Sequence, residues 1–151
     1  MFYENLKITG ELQIVLRDEF GNIKDERIVP NLVVTAGKVL IALRLSGSGV
    51  SPTHMAIGSG STGALAADTA LGTELTTTGG NARPAFTSTT PSTNTVTYVA
   101  VFAPGVGTGT VYEAGIFNAA TAGTMLCRTT FGIVTKAAAD TLTINWVITV
   151  N

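Results

Sequence analysis

Gly58, Gly60 and Gly63 of "GSGSTG" carry the spacing Gly-x-Gly-x-x-Gly. With that spacing a loop lays backbone N–H groups around a pyrophosphate at the start of a helix, so the chemistry on offer is anion binding. A phosphate loop also needs a Lys followed by Ser or Thr after its second glycine, and here Ala64-Leu65-Ala66 follows Gly63. A nucleophile elbow needs Gly-x-Ser-x-Gly, which neither Gly58-Ser59-Gly60 nor Gly60-Ser61-Thr62-Gly63 supplies. A dinucleotide fold would continue into a crossover helix, whereas the residues downstream read as strands. The expectation is a tight glycine turn and no nucleotide.

His54 is the only histidine and Cys127 the only cysteine. One histidine rules out a histidine-rich metal cluster and leaves a catalytic triad a single possible base. The spacings Cys-x-x-Cys and His-Glu-x-x-His and the calcium-loop pattern do not occur. Beside Met55-Ala56-Ile57, His54 reads as a strand-edge side chain. Cys127, in "TMLCRTTF", falls on one face of a strand and reads as a small core residue, because a lone thiol has no internal disulfide partner. The carboxylates Asp68, Glu74, Glu113 and Asp140 are scattered, with no spacing that pairs them for acid–base chemistry. Glu113 stands out: in "VYEAGIF" it shares the alternation of Val111 inside an apolar strand, which calls for a buried partner, Arg83 or Arg128. No catalytic, cofactor-binding or metal-ligating residue is assigned, and neither cofactor nor metal is expected.

The elements that position these residues are mostly strands. Leu6, Ile8, Leu12, Ile14 and Leu16 fall on one face of an opening strand and Lys7, Thr9, Glu11, Gln13 and Arg17 on the other, a period of two. Phe20-Gly21-Asn22 supplies turn residues, predicting a hairpin near 12–29, and Pro30 marks an edge or strand end. "TAGKVLIALRLSG" predicts the one helix, over about 35–45, with Thr35 as N-cap, Val39, Leu40 and Leu43 on one side and Ser46-Gly47-Ser48-Gly49 as its stop. "THMAIG" reads as a short strand, with Met55 and Ile57 entering the core. "AADTALGTEL" reads as a helical turn capped by Asp68 or as an extended strap.

Strands then follow at short intervals: "ARPAFTST", "TVTYVAVFA", "GTVYEAGIFNA", "TMLCRTTFGIV" and "DTLTINWVITV". In the last, Leu142, Ile144, Trp146, Ile148 and Val150 alternate with Thr141, Thr143, Asn145 and Thr149. Phe102, Tyr112, Phe117, Phe131 and Trp146 read as core aromatics. The predicted fold is mainly β, an antiparallel β-sandwich or jelly roll with one short helix and an N-terminal β-hairpin. It forms a single domain over 1–151, with 1–32 as hairpin or arm and 33–151 as the main body.

The 151 residues include 25 threonines, nine basic and ten acidic side chains, and a net charge of −1. Such a balance gives no field to hold a nucleic-acid backbone or an anionic membrane, so neither is an expected partner. Twelve of those nineteen charges precede residue 45, leaving a weakly charged, Gly-, Ala- and Thr-rich remainder suited to packing against neighbours. No apolar run reaches the roughly 18 residues of a membrane span, and the N-terminus lacks the basic start and apolar block of a secretory signal.

"IVPNLVVTAGKVLIALRL", then "THMAIGSGSTGALAADTALGTEL", then "YEAGIFNAATAGTMLCRTTFGIVTKAAADTLTINWVITV" resemble, in that order, small virion structural proteins of tailed bacteriophages. The resemblance covers most of the chain from about residue 28 and includes no catalytic signature. It implies a non-enzymatic particle component, foremost a capsid decoration or cement protein that bridges major capsid subunits on the virion. The alternative it leaves is a tail, baseplate or fibre protein, structural or receptor-binding. The whole chain being the module, without a coiled-coil or collagen-like stalk, favours the capsid. The expected partners are the major capsid protein and the protein itself, as a homodimer or homotrimer. The charged hairpin is expected to face solvent or clamp a partner.

Overall fold

The computed structural model describes residues 4–75 and 83–151. In chain order it contains β1 (Ile8–Arg17), β2 (Ile23–Pro30), β3 (Leu32–Val33), α1 (Thr35–Leu45), β4 (His54–Gly58), β5 (Ser88–Ser92), β6 (Thr95–Phe102), β7 (Gly109–Phe117), β8 (Met125–Lys136) and β9 (Thr141–Val150). Two sheets form, with orders β2-β1-β9-β6-β5 and β3-β8-β7-β4, and every pairing is antiparallel. The fold is thus mainly β with one helix, a sandwich of two sheets.

Alternation fills the space between the sheets. Leu12, Ile14 and Leu16 of β1, Ala100 and Phe102 of β6, and Leu142, Ile144 and Trp146 of β9 meet Met55 and Ile57 of β4 and Ile116 of β7 in one core. The Trp146 indole N–H donates to Asn31 Oδ1 at 2.9 Å, which satisfies its polar edge inside that core. Leu6 and Val150, expected to continue the buried rows, are exposed because the strands end there. Of the expected core aromatics, Tyr112 and Phe131 are only half-buried.

The N-terminal hairpin is built into the sheet. β1 pairs with β2 on one side and with β9 along its whole length, Ile8 opposite Val150 to Arg17 opposite Thr141. Of the two hairpin strands only β2 stands at an edge of the sheet, ending on Pro30, whose missing N–H suits an edge strand. Between the strands Asp18 N–H donates to Asn22 O, and Gly21 takes φ +85°, a left-handed conformation that glycine adopts without steric cost.

The second sheet is covered on both faces. Its outer face carries Ala56, Phe117 and Met125, packed with Val34 and Leu71. α1 lies against β8 by a close approach: a Cβ on Gly37 would stand 2.0 Å from Leu126 O. Two expectations for the helix fail as a result. Its N-cap is Val34, without a side-chain cap bond, and Thr35 is already helical. Gly37 and Leu40 form the packed side, which leaves Val39 and Leu43 exposed. The helix does stop where expected, with Gly47 at φ +77°.

The predicted strand "ARPAFTST" is shorter than its apolar pattern suggested. Its first residue, Ala82, lies outside the described residues, Ala85 makes an isolated bridge to His54, and strand pairing with β6 begins at Ser88. "AADTALGTEL" takes the extended alternative. After one turn at Asp68, the strap runs beside β4, with Ser59 N–H donating to Thr73 O and Leu75 N–H to Ile57 O.

Candidate functional site

Glu113 organises the largest polar cluster, and the glycine loop belongs to it. The register of β7 against β8 shifts between Val111 and Glu113. Val111 therefore points into the core while Glu113 points under the strap, contrary to the shared alternation expected for them. Glu113 is fully buried. Its Oε1 accepts the N–H groups of Gly60 (2.9 Å) and Thr73 (2.8 Å), and its Oε2 accepts Gly72 N–H (2.9 Å). Arg128, nearly as buried, adds Nε at 2.9 Å and Nη2 at 2.7 Å to the same Oε2. Five donors on one carboxylate offset the cost of burying it, which an unpaired charge would not survive.

Of the two partners expected for Glu113, the structure selects Arg128. The same guanidinium reaches Asp68 Oδ2 at 2.6 Å and Thr62 O at 2.9 Å, so Asp68 converges with Glu113 on one cation. Asp68 Oδ2 also accepts Leu65 N–H at 2.8 Å. Burial works against the Asp68 charge, yet the Leu65 N–H and Arg128 hold its pKa below the ordinary carboxylate value. The loop does bind an anion, and the anion is the protein's own carboxylate. Gly63 takes no part through close packing, having open space around a would-be Cβ.

Arg83 is taken by Glu74 instead, with Nε and Nη2 on the two carboxylate oxygens at 2.6 and 2.9 Å. Its Nη1 donates to Ala122 O at 2.8 Å, and the guanidinium lies 3.6 Å over the Phe117 ring. This second clamp ties the end of the strap to the loop between β7 and β8. A third lies at the opposite end of the sandwich. There Lys24 Nζ meets Asp140 Oδ2 at 2.5 Å, Ala137 N–H donates to the same oxygen, and buried Lys136 donates to Ala103 O and Asp140 O. The Lys24 bond leads the influences that lower the Asp140 pKa, while burial lowers that of Lys136.

His54 sits on β4, the edge strand of its sheet, half-buried and hydrogen-bonded through Nδ1 to Thr53 Oγ1 at 2.7 Å. Burial, then the Arg83 charge, push its pKa down, toward the neutral form. Cys127 is a fully buried core residue whose thiol pKa is pushed well up by burial. Among the described residues no group of three or more His, Cys, Asp or Glu side chains could hold a metal ion. No helix of the described residues is long and apolar enough to cross a membrane.

What the polar clusters leave over is an apolar surface. α1 exposes Val39, Leu43 and Leu45, and between it and the β5–β6 hairpin runs a groove of about 440 Å³. Ile41, Leu45, Val96, Tyr98 and Leu126 line this groove and Arg44 stands at its rim. A helix apolar on nearly every side is normally covered on every side. The sequence pattern groups Val39 and Leu43 with Leu40 on one side of the helix, whereas of the three only Leu40 is packed; the signal that could have located the packed side was Gly37, the residue that lets the helix approach the sheet.

Compared with protein-family models, with curated proteins and with solved structures, the chain gives no match.

Proposed function

We propose that the protein is a non-enzymatic structural component of a tailed phage particle, a capsid decoration protein that bridges major capsid subunits. The reading starts from the resemblance of three ordered sequence segments to small virion proteins. The structural observation that carries it is the exposure of the apolar side chains Val39, Leu43 and Leu45 of α1 on a body whose buried charged groups are engaged internally. Such a body offers a neighbour a stiff sandwich and an apolar contact, the properties a cement protein uses.

The action would be mechanical. A protein that buries a standard interface of about 1,600 Å² across a junction adds a few kcal/mol at each of many junctions. The near-zero net charge lets copies lie close without long-range repulsion. Cryo-electron microscopy of the native particle tests the assignment. Density for this sandwich on the shell in icosahedral copy number is the expected result, and a few copies confined to the tail or one vertex would transfer the protein to the tail, baseplate or fibre class.

A further inference from the structure

The exposed apolar surface has a counterpart elsewhere on the same chain. At the tip of the β1–β2 hairpin Phe20 is 81% exposed, beside exposed Glu19. The tip is held rigid from beneath. The Asp18 carboxylate accepts Phe20 N–H at 2.9 Å, Asn22 N–H at 2.8 Å and Asn22 Nδ2 at 3.0 Å, and Arg17 is turned back onto Gly21 O at 3.0 Å. The backbone that carries an aromatic knob with a carboxylate at its side is therefore held in place, which lowers the ordering cost on binding.

The groove between α1 and the β5–β6 hairpin is its complement. It is apolar inside, Leu45 on its wall is 83% exposed, and Arg44, whose Nη1 donates to Gly49 O at 2.8 Å, is the one charged lining residue among the described residues. From Ile28 to Ala67, the segment that carries α1, the chain has no Asp or Glu, and its Lys and Arg residues are Lys38 and Arg44. We propose that the hairpin tip of one copy docks into this groove of a second copy, with Phe20 in the groove and Glu19 against Arg44.

The knob cannot fill the groove of its own chain. Val96, in the groove, is level with Ile148 and so with Gly10 of β1, whereas the tip begins beyond Arg17. Seven residues of strand at about 3.3 Å each put roughly 23 Å between them along a rigid sheet. The contact is therefore between copies, and it joins two different surfaces of the chain. Head-to-tail contacts of that kind close into a ring or extend into a fibre, unlike a two-fold pairing of like faces. It needs no capsid shell and forms between copies in solution.

Analytical ultracentrifugation of the full chain tests it with two variants, Phe20→Ser and Leu45→Asp, each checked for native circular dichroism. Wild type is expected to self-associate with increasing concentration, and either variant to weaken association about thirtyfold, the scale of an interface hot spot. The decisive sample is the mixture. Phe20→Ser keeps a working groove and Leu45→Asp a working tip, so an equimolar mixture should form heterodimers that neither close nor extend. A wild type that stays monomeric, a Phe20→Ser variant that associates as tightly as wild type, or a mixture that stays monomeric would each overturn the contact. If Leu45→Asp does not fold, charge reversal takes its place: Glu19→Arg alone should weaken association and Glu19→Arg with Arg44→Glu should restore it, while no restoration overturns the pairing.

Discussion

Glu113 and Gly58 are direct partners across β7 and β4, and a Cβ on Gly58 would stand 2.5 Å from the Glu113 Oε1. The glycine is there to make room for an internal carboxylate. Gly60 stands in the same relation, its would-be Cβ also 2.5 Å from that oxygen, while Gly63 has nothing within 4 Å. A spacing that looks like one motif is thus two required glycines and one tolerant one.

Alanine substitutions should separate them. Gly58→Ala also drives a Cβ to 2.6 Å from the backbone Thr73 O, so the strap itself must shift. We expect Gly58→Ala and Gly60→Ala to cost about 1–3 kcal/mol, the usual range for overpacking. Gly63→Ala should be neutral or stabilise by up to about 1 kcal/mol through the unfolded chain. Urea unfolding of the three variants measures the difference, and equal losses at all three would show that the carboxylate is not what the glycines serve.

Removing one partner of the buried pair should cost more than removing both. Glu113→Gln leaves the buried Arg128 beside a neutral amide with Asp68 as its remaining carboxylate, for which about 3 kcal/mol, the low end for a broken buried pair, is expected. Glu113→Leu with Arg128→Met removes both charges, and much of that loss should return, although the N–H groups of Gly60, Gly72 and Thr73 then lack their acceptor. A double-mutant cycle of Glu113→Leu and Arg128→Met, singly and together in denaturant, measures the coupling. Additive losses would mean that the two residues do not act as a pair.

The strands were legible because their burial alternates: Leu142, Ile144 and Trp146 point inward as their period of two requires. The face that Glu113 uses was not, because a register shift beside Val111 breaks that period and no residue type announces it. The pairing of Glu113 was narrowed to two arginines from burial alone, yet the choice between them depends on the register that sets Arg128 of β8 opposite Gly115 of β7. The part played by Asp68 was out of reach, since its contact with Arg128 spans 60 residues and exists only once the strap has folded back. Helix periodicity misplaced Val39 and Leu43 for a related reason. Apolar side chains show that a helix has a contact face, but a glycine set the side on which this one approaches its sheet.

Acid should weaken the end of the sandwich where Lys24 meets Asp140. The Asp140 pKa lies below its ordinary value of 3.8, first through the Lys24 bond and then through Ala137 N–H. A carboxyl group with a lowered folded pKa stays ionised longer in the folded state than in the unfolded one. Its contribution is complete above the ordinary value and is lost as pH falls through the lower folded value. Stability measured against pH should therefore fall less steeply below pH 3.8 in Asp140→Asn than in wild type. Lys24→Ala should move the Asp140 titration upward by carbon-detected NMR, and an unmoved titration would leave the ion pair without effect.

Deleting residues 1–30 should abolish folding, although the segment could be read as a clamping arm. The deletion takes Leu12, Ile14 and Leu16 out of the core and strips β9 of a ten-residue partner strand. Each such loss costs about 2–5 kcal/mol even as a truncation to alanine, and a whole domain has only about 5–15 kcal/mol to lose. The truncated chain should show no cooperative thermal transition and no dispersed amide spectrum. Phe20→Ser, at the exposed tip of the same hairpin, should unfold within about 0.5 kcal/mol of wild type because its ring touches little of its own chain. A cooperative transition in the truncated chain would return β1 to the status of an arm. A large loss in Phe20→Ser would mean that the tip serves folding rather than contact between copies.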